Sequence, residues 1–538
     1  MLNKNPIIKG TIILTIASLL SRIIGFLYRI FLSNLIGAKG MGVFQLIFPV
    51  LVFCIALSCG GIQIAVSRFV AESKSRKECF LVLISSIIMS LSLSFITLGV
   101  LYFFAEPVSL FIIKNKSCTE LLKYASFTIP LATFHACITG YYLGFKKTFV
   151  PAWSGVVEQI AKVISLFILW LVWVEKGISI TPVIAVYSMV ISELCGVIFC
   201  LIAIFGERFF AFKISEIFSV MKKMFSVSYV LTLNKIMLTF LQTLEAVIFP
   251  TVLLKSGLSL SDSLSIYGIL TGMALPVVTF PSAINTSVST MLLPTIAGAN
   301  SGNDVSGIKK TTEYSIWFSM ITGIFCVGVF LFYGDFIGTN IFRQPLAGEY
   351  IMILAWLCPF LYLSITLGSI LHGLGLTNAA FIHNVIGVVI RLASLWFGVP
   401  VFGVEGYLIG LLISNLVVTL LHSFYIHKYV DFNFSAIDNI VKPTLWIAIG
   451  LIMGKLVSYI FSFADCKGLV FCIFSAGISG VIIVMVFGYF VWRESVKSKP
   501  RLKDVVCSEA ISLCYWPAPQ GAGFHFVQAT MPLTRCSP

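Results

Sequence analysis

Polar and apolar positions along this chain separate into long blocks, with roughly fourteen apolar stretches of about 20 residues or more divided by mostly short polar connections. The stretches begin near Gly10, Val43, Phe80, Leu121, Pro151, Thr181, Ser226, Ser263, Thr312, Glu349, Asn378, Gly403, Val441 and Lys467, and are numbered spans 1 to 14 below. As a helix, each is long enough to cross a hydrocarbon core of ~30 Å. The pattern therefore predicts an all-α polytopic membrane protein with about 14 transmembrane helices and no large soluble domain.

The blocks repeat. Pro359 lies 229 positions after Pro130, and the same offset carries Gly144 onto Gly373, Thr148 onto Thr377 and Lys162 onto Arg391. Ile191-Ser192-Glu193-Leu194 in span 6 resembles Ile413-Ser414-Asn415-Leu416 in span 12 at a slightly shorter offset. Six spans per half is an even number, so both halves enter the membrane from the same side as parallel repeats, which places a substrate site between two bundles near the midplane. The expected organisation is an N-lobe over 1–212 (spans 1–6), a C-lobe over 213–430 (spans 7–12), spans 13 and 14 over 431–495, and a disordered cytoplasmic tail over 496–538. In span 13, Gly450 and Gly454 make a G-x-x-x-G close-packing face. Prolines at Pro49, Pro276, Pro281 and Pro294 mark spans 2 and 8 as bending elements or static kinks.

Composition agrees: of 538 residues 58% are hydrophobic and 11% charged, with a mean hydropathy of +1.01, which excludes an ordinary soluble enzyme. With the N-terminus inside, cytoplasmic loops hold sixteen lysines and arginines and outer loops eight, so the positive-inside rule puts both termini in the cytoplasm of a cell-membrane protein. The net charge of +14 then reads as topology and not as nucleic-acid binding. The first span is too long for a cleaved signal and carries two arginines. Fourteen scattered cysteines without C-x-x-C pairs read as small packing residues, and no nucleotide or metal motif is present, so no cofactor is expected.

What remains is charge inside the spans. Arg22 and Arg29 stand in an apolar run from Thr11 to Leu35; seven residues at about 100° bring them to within ~20° of one another, with Gly25 on the same stripe. An arginine at the bilayer centre costs ~2.5–3.5 kcal/mol, so this stripe should face a water-filled cavity or an anionic partner, the alternative being that Arg29 snorkels. Lys162, Lys235, Arg391 and Lys455 are the other cations within spans, against the carboxylates Glu158, Glu193 and Glu245. Glu158 and Lys162 lie four apart in the order that favours an ion pair, and Lys455 near a span end snorkels. The excess of cations suits an anionic ligand such as a diphosphate, for which arginine supplies paired donors. The candidate site is Arg22, Arg29, Lys162, Lys235, Arg391, Glu158 and Glu245. Its sharpest form has Lys162 and Arg391, at matching repeat positions, each contributing one cation to a shared diphosphate site with Arg22; the competing form has Lys162 engaged by Glu158 and Arg391 capping carbonyls within its own lobe. His135, His372 and His383 read mainly as packing or helix-end residues.

The motifs Ser21-Arg22-x-Ile24-Gly25-Phe26-x-Tyr28-Arg29, Ile36-Gly37-Ala38-x-Gly40-Met41-Gly42, Gln45-Leu46-Ile47-Phe48-Pro49 and Ser67-Arg68-x-Val70-Ala71-Glu72 resemble the polysaccharide transporter, or stage V sporulation protein B, branch of the multidrug/oligosaccharidyl-lipid/polysaccharide (MOP) exporter superfamily. The resemblance implies two six-helix lobes plus two helices, alternating access, and movement of an anionic lipid-linked oligosaccharide across the bilayer, with a role in spore cortex peptidoglycan for the sporulation branch. A proton, sodium or chloride is the implied coupling ion. The chain is also similar to the lipid II flippases, whose first-helix arginines line a substrate cavity. Arg22 matches there, whereas the second arginine of that branch falls on Tyr28, and the second-helix arginines of that branch are absent where Leu51-Val52-Phe53-Cys54 stands. Two other functions fit the same fold: an ion-coupled exporter of cationic drugs, which calls for a cavity dominated by carboxylates, and a non-transporting scaffold for cortex synthesis enzymes.

Overall fold

A computed structural model of the chain describes residues 6–206, 210–462 and 469–497. Every regular element among them is helical. Twelve helices are long and apolar enough to cross a membrane, or thirteen when the bent pair Pro345–Ala355 and Cys358–Gly373 is counted as one span. The first of the twelve, Ile13–Glu72, has 60 residues, about 90 Å of helix at ~1.5 Å per residue, or more than two membrane thicknesses. It is two crossings joined at Gly37, whose φ of 70° breaks the helical path where only glycine is unstrained. The expected count of about fourteen therefore holds as an approximate one. Most of the expected tail, 498–538, lies outside the described residues.

Local chemistry sets the ends. Ser75 accepts a hydrogen bond from the Glu78 amide to start span 3 (Arg76–Phe103), and Asp304 does the same for Gly307 at the start of span 9 (Val305–Phe336). Span 8 is broken where the prolines fall: Leu260–Gly268 passes through a π-helical stretch, Ile269–Ala274, into Leu275–Thr279, and after a turn at Phe280 and Pro281 resumes as Ser282–Ser301. Pro276 has no N–H to continue the helical ladder, which is why regular α-helix gives way just before it. Span 2 keeps its helix through Pro49, whose carbonyl accepts a hydrogen bond from Thr243 Oγ1 of span 7.

The repeat is written into the backbone. A π-helical turn at Val108–Ile112 ends span 3 and another at Ile337–Ile341 ends span 9, again 229 residues apart. The left-handed residues Lys114 (φ 59°) and Arg343 (φ 55°) share that offset, as do Lys146 (φ 57°) and Gly375 (φ 80°). A left-handed residue thus follows spans 3 and 9, and another follows spans 4 and 10, at the repeat offset. The G-x-x-x-G of span 13 meets span 14 as expected, with Gly450 and Gly454 both against Ile483.

Residues Met1–Phe487 form one compact unit, with a large apolar core to which each of spans 1 to 12 contributes. The second unit, from Gly488, is described only for the end of the helix Leu469–Lys497. Large side chains such as Phe103, Phe111, Phe397 and Phe424 stand exposed on the outside of the first unit, where a lipid environment accommodates them.

Candidate functional site

Between the two halves of the chain lies a cavity of about 670 Å³. One wall is the stripe of span 1, with Ser18, Ser21, Arg22, Gly25, Tyr28 and Arg29. The stripe faces this space because lipid cannot solvate a guanidinium. Glu158, Gln159 and Lys162 of span 5 and Glu193 of span 6 complete the polar side, and Thr271, Leu275, Pro276, Thr279 and Phe280 of the broken span 8 close it from the other half. Gly25 lets spans 1 and 5 approach: a Cβ there would stand 3.1 Å from Gln159 Oε1.

Three cations thus face the space with two carboxylates. Among the described residues no carboxylate oxygen comes within the 4.0 Å of an ion pair with Arg22, Arg29 or Lys162. Glu158 and Lys162, expected as a possible i,i+4 pair, do not form one. Glu158 instead accepts from Gln159 Nε2 at 3.4 Å, and Lys162 Nζ sits 5.2 Å from the centre of the Tyr28 ring, a cation–π distance. Tyr28 is held in that position by its hydroxyl, 2.9 Å from Ser188 Oγ. Arg22 reaches across to the other half, its two terminal nitrogens 3.4 Å from Ser282 Oγ and 3.5 Å from Thr286 Oγ1, both long for hydrogen bonds. Phe26 meets Phe280 at 5.2 Å beside it.

Arg391 and Glu245 are elsewhere, and this corrects the shared site. Arg391 Nε donates to Glu245 Oε1 at 2.7 Å, its Nη1 donates to Ser414 Oγ at 3.3 Å, and Tyr407 donates its hydroxyl to the same Glu245 oxygen at 2.7 Å. None of the four lines the cavity. Lys162 and Arg391 do occupy matching positions, yet span 7 presents Arg391 with a carboxylate whereas span 1 presents Lys162 with Tyr28 and Arg29. The pair closes on itself in one half; in the other the cation lies over the Tyr28 ring and lines the cavity. Lys235 stands exposed on span 7 and is likewise absent from the cavity wall.

The structure adds a cluster that residue-by-residue reading did not assemble. His135 of span 4, Glu158 of span 5 and Glu193 of span 6 bring ring nitrogen and carboxylate oxygens within 4.8 Å of one another. His135 Nδ1 is 3.8 Å from Glu193 Oε2, an oxygen that is buried and has no hydrogen-bond partner. The signal available in the sequence was Glu193 itself, a carboxylate deep in an apolar span; its companions come from two other helices, and no spacing relates them.

Comparison with known proteins agrees with this architecture. The sequence model of the family described as "Polysaccharide biosynthesis protein" matches residues 7–300, and that of the MatE family matches residues 236–397. Stage V sporulation protein B of Bacillus subtilis (strain 168) is 22% identical over 496 residues, covering 90% of this chain and 96% of that protein. Lipid II flippase MurJ of the same organism is 22% identical over 505 residues, covering 85% and 90%. A solved structure of lipid II flippase MurJ in an inward closed conformation superposes with a TM-score of 0.67 at 17% identity, covering 91% of this chain and 100% of that one. Since the first family model takes in more than half of the chain, this polytopic membrane protein belongs to the polysaccharide biosynthesis protein family of the MOP superfamily.

Proposed function

We propose that the chain is a flippase for a polyprenyl-diphosphate-linked glycan, a peptidoglycan precursor or a related polysaccharide unit, working by alternating access between a lobe at 1–212 and a lobe at 213–430 in the cell membrane. The observation that carries this reading is the cavity wall itself: Arg22, Arg29 and Lys162 face it without an ion-pair partner, and only Glu158 and Glu193 oppose them. A diphosphate offers two charged groups to such a wall, and guanidinium binds phosphate oxygens through paired donors. The cavity is of the size that holds a headgroup, roughly 300–1,000 Å³ for ligand sites in general, so the polyprenyl chain would lie outside it. The excess of lysine and arginine in alternate loops favours an N-terminus in the cytoplasm, and on this reading the Arg22 end of the cavity faces the cytoplasmic side. Similarity to stage V sporulation protein B supports a part in sporulation.

The direct test is transbilayer movement of a fluorescent polyprenyl-diphosphate glycan in vesicles containing the purified protein, under imposed pH gradients and potential. Accelerated movement is expected; none with any such lipid sinks the reading. In the same preparation Lys162→Gln should weaken binding of a diphosphate ligand by roughly ten- to a hundredfold, since a charge-assisted hydrogen bond is worth ~1.5–3 kcal/mol and ~1.4 kcal/mol is tenfold. Wild-type affinity in that variant, measured by fluorescence titration, would remove Lys162 from the site. The drug-exporter reading draws on Glu158 and Glu193 and predicts the reverse: lost efflux of cationic dyes in Glu158→Gln, with diphosphate binding absent throughout.

A further inference from the structure

We infer that Glu158, Gln159 and Glu193 read the sugar next to the diphosphate, so that the cavity takes a glycan-loaded carrier lipid and rejects the bare lipid diphosphate. The inference rests on the reading that Arg22, Arg29 and Lys162 bind a diphosphate. Those three cations and the two glutamates line one space, yet among the described residues none of the cations comes within 4.0 Å of a carboxylate oxygen. Glu193 Oε2 is buried without a donor, and Glu158 accepts one long hydrogen bond, from Gln159 Nε2 at 3.4 Å. Each carboxylate offers roughly four lone-pair sites. The cavity thus holds cationic donors and anionic acceptors that do not satisfy one another.

A ligand that is only an anion satisfies the cations and is repelled by both acids. One that has an acceptor end and a donor end satisfies both sets. A sugar joined to a diphosphate is such a ligand: its phosphate oxygens accept from guanidinium and ammonium, while its hydroxyls and any amide N–H donate to carboxylate, the strong charge-assisted case. Glu158 and Lys162 stand one turn apart on span 5, ~6 Å along the helix, so one headgroup reaches both. Volume agrees, because the nine non-hydrogen atoms of a diphosphate, even at the ~30 Å³ of a liquid water each, fill less than half of the 670 Å³. An ammonium group as the donor would stand beside Lys162 and Arg29, whose like charges oppose it, which favours neutral hydroxyl and amide donors. The bare lipid diphosphate brings no such donor and leaves both carboxylates unpaired against its own charge. Sites built to hydrogen-bond a hydroxyl reject the analogue lacking it by ~10⁴–10⁵-fold for this reason.

The test uses the full chain in lipid nanodiscs and two probes, farnesyl diphosphate and the same lipid carrying N-acetylglucosamine on its diphosphate. By calorimetric titration the parent protein should bind the sugar-bearing probe about a hundredfold more tightly or better. In Glu193→Leu and in Glu158→Leu, made separately so that either can stand in if the other does not fold, the two affinities should move in opposite directions. The sugar-bearing probe loses roughly ten- to a hundredfold with its hydrogen bonds, and the bare probe gains several-fold as repulsion is removed. Glu193→Gln and Glu158→Gln keep an acceptor oxygen and should restore most of the sugar preference, which separates hydrogen bonding from charge. Lys162→Gln should weaken both probes by a similar factor. Equal affinity of the parent protein for the two probes overturns the inference and leaves the diphosphate reading standing, as do leucine variants that shift both probes alike. Binding of neither probe overturns both.

Discussion

Glu245→Ala should lower the unfolding free energy of the protein by about 3–5 kcal/mol, the range seen when one partner of a buried ion pair is removed, and should leave diphosphate affinity of the folded protein unchanged. The side chains of Arg391 and Glu245 are only 18% and 11% exposed, and the carboxylate takes two short hydrogen bonds, from Arg391 and Tyr407. Without it a guanidinium is left unpaired among apolar helices and Tyr407 loses its acceptor. Removing both charges together, as Glu245→Leu with Arg391→Met, should recover most of the loss, because a well-packed apolar pair of similar volume replaces a buried ion pair at little net cost. Chemical unfolding in detergent gives the stability, and ligand titration of the folded fraction gives the affinity. An intact fold with a large loss of affinity would return Arg391 to the substrate site.

The second large effect is expected at the end of the cavity away from the N-terminus. There Gly42, just after the Gly37 break, lies directly against span 8: a methyl on Gly42 would overlap the carbonyl of Leu264, and one on Gly268 would overlap the carbonyl of Ala38. Met41 packs onto Gly272 in the same contact. Backbone meets backbone, so no rotamer change makes room. Overfilling a packed contact costs ~1–3 kcal/mol even where side chains can adjust, and Gly42→Leu, which cannot be accommodated that way, should cost more. The variant should therefore shift the protein away from the arrangement in which spans 2 and 8 touch here, each ~1.4 kcal/mol of cost moving that balance tenfold. Under the proposed function, glycan movement should fall by roughly a hundredfold, the equivalent of ~2.7 kcal/mol, while diphosphate binding persists. Spin labels at Lys39 and Leu260 should report a wider distance than in the parent protein. Wild-type transport in Gly42→Leu would show that this contact need not close during the cycle.

Much of the fold was legible because lipid leaves a chain few options. Backbone groups in hydrocarbon must be satisfied within the segment, so apolar length alone implies helices, and the 229-residue offset read from four residue pairs reappears in the π-helical turns and left-handed residues of both halves. The cationic stripe of span 1 was legible for a related reason: Arg22, Gly25 and Arg29 share one face by helical period alone, and all three line the cavity. The fate of Arg391 was not. Its repeat relation to Lys162 is real, but a repeat copies the position of a helix and not the residue that a neighbouring helix points at it.

The sequence by itself determined how many times the chain crosses a membrane, approximately, and that its first helix carries charge on one face, since both depend on residues close together along the chain; it also carried the relation of the two halves, since a repeat leaves the same residue types at a constant offset. Tertiary structure decided which charges remain available. Glu245 meets Arg391 from 146 residues away and neutralises it, Tyr28 takes the place beside Lys162 that Glu158 leaves, and His135, Glu158 and Glu193 converge from three helices. Those pairings are set by how helices rotate and pack against one another, and electrostatic energies change steeply over the few ångströms such packing fixes.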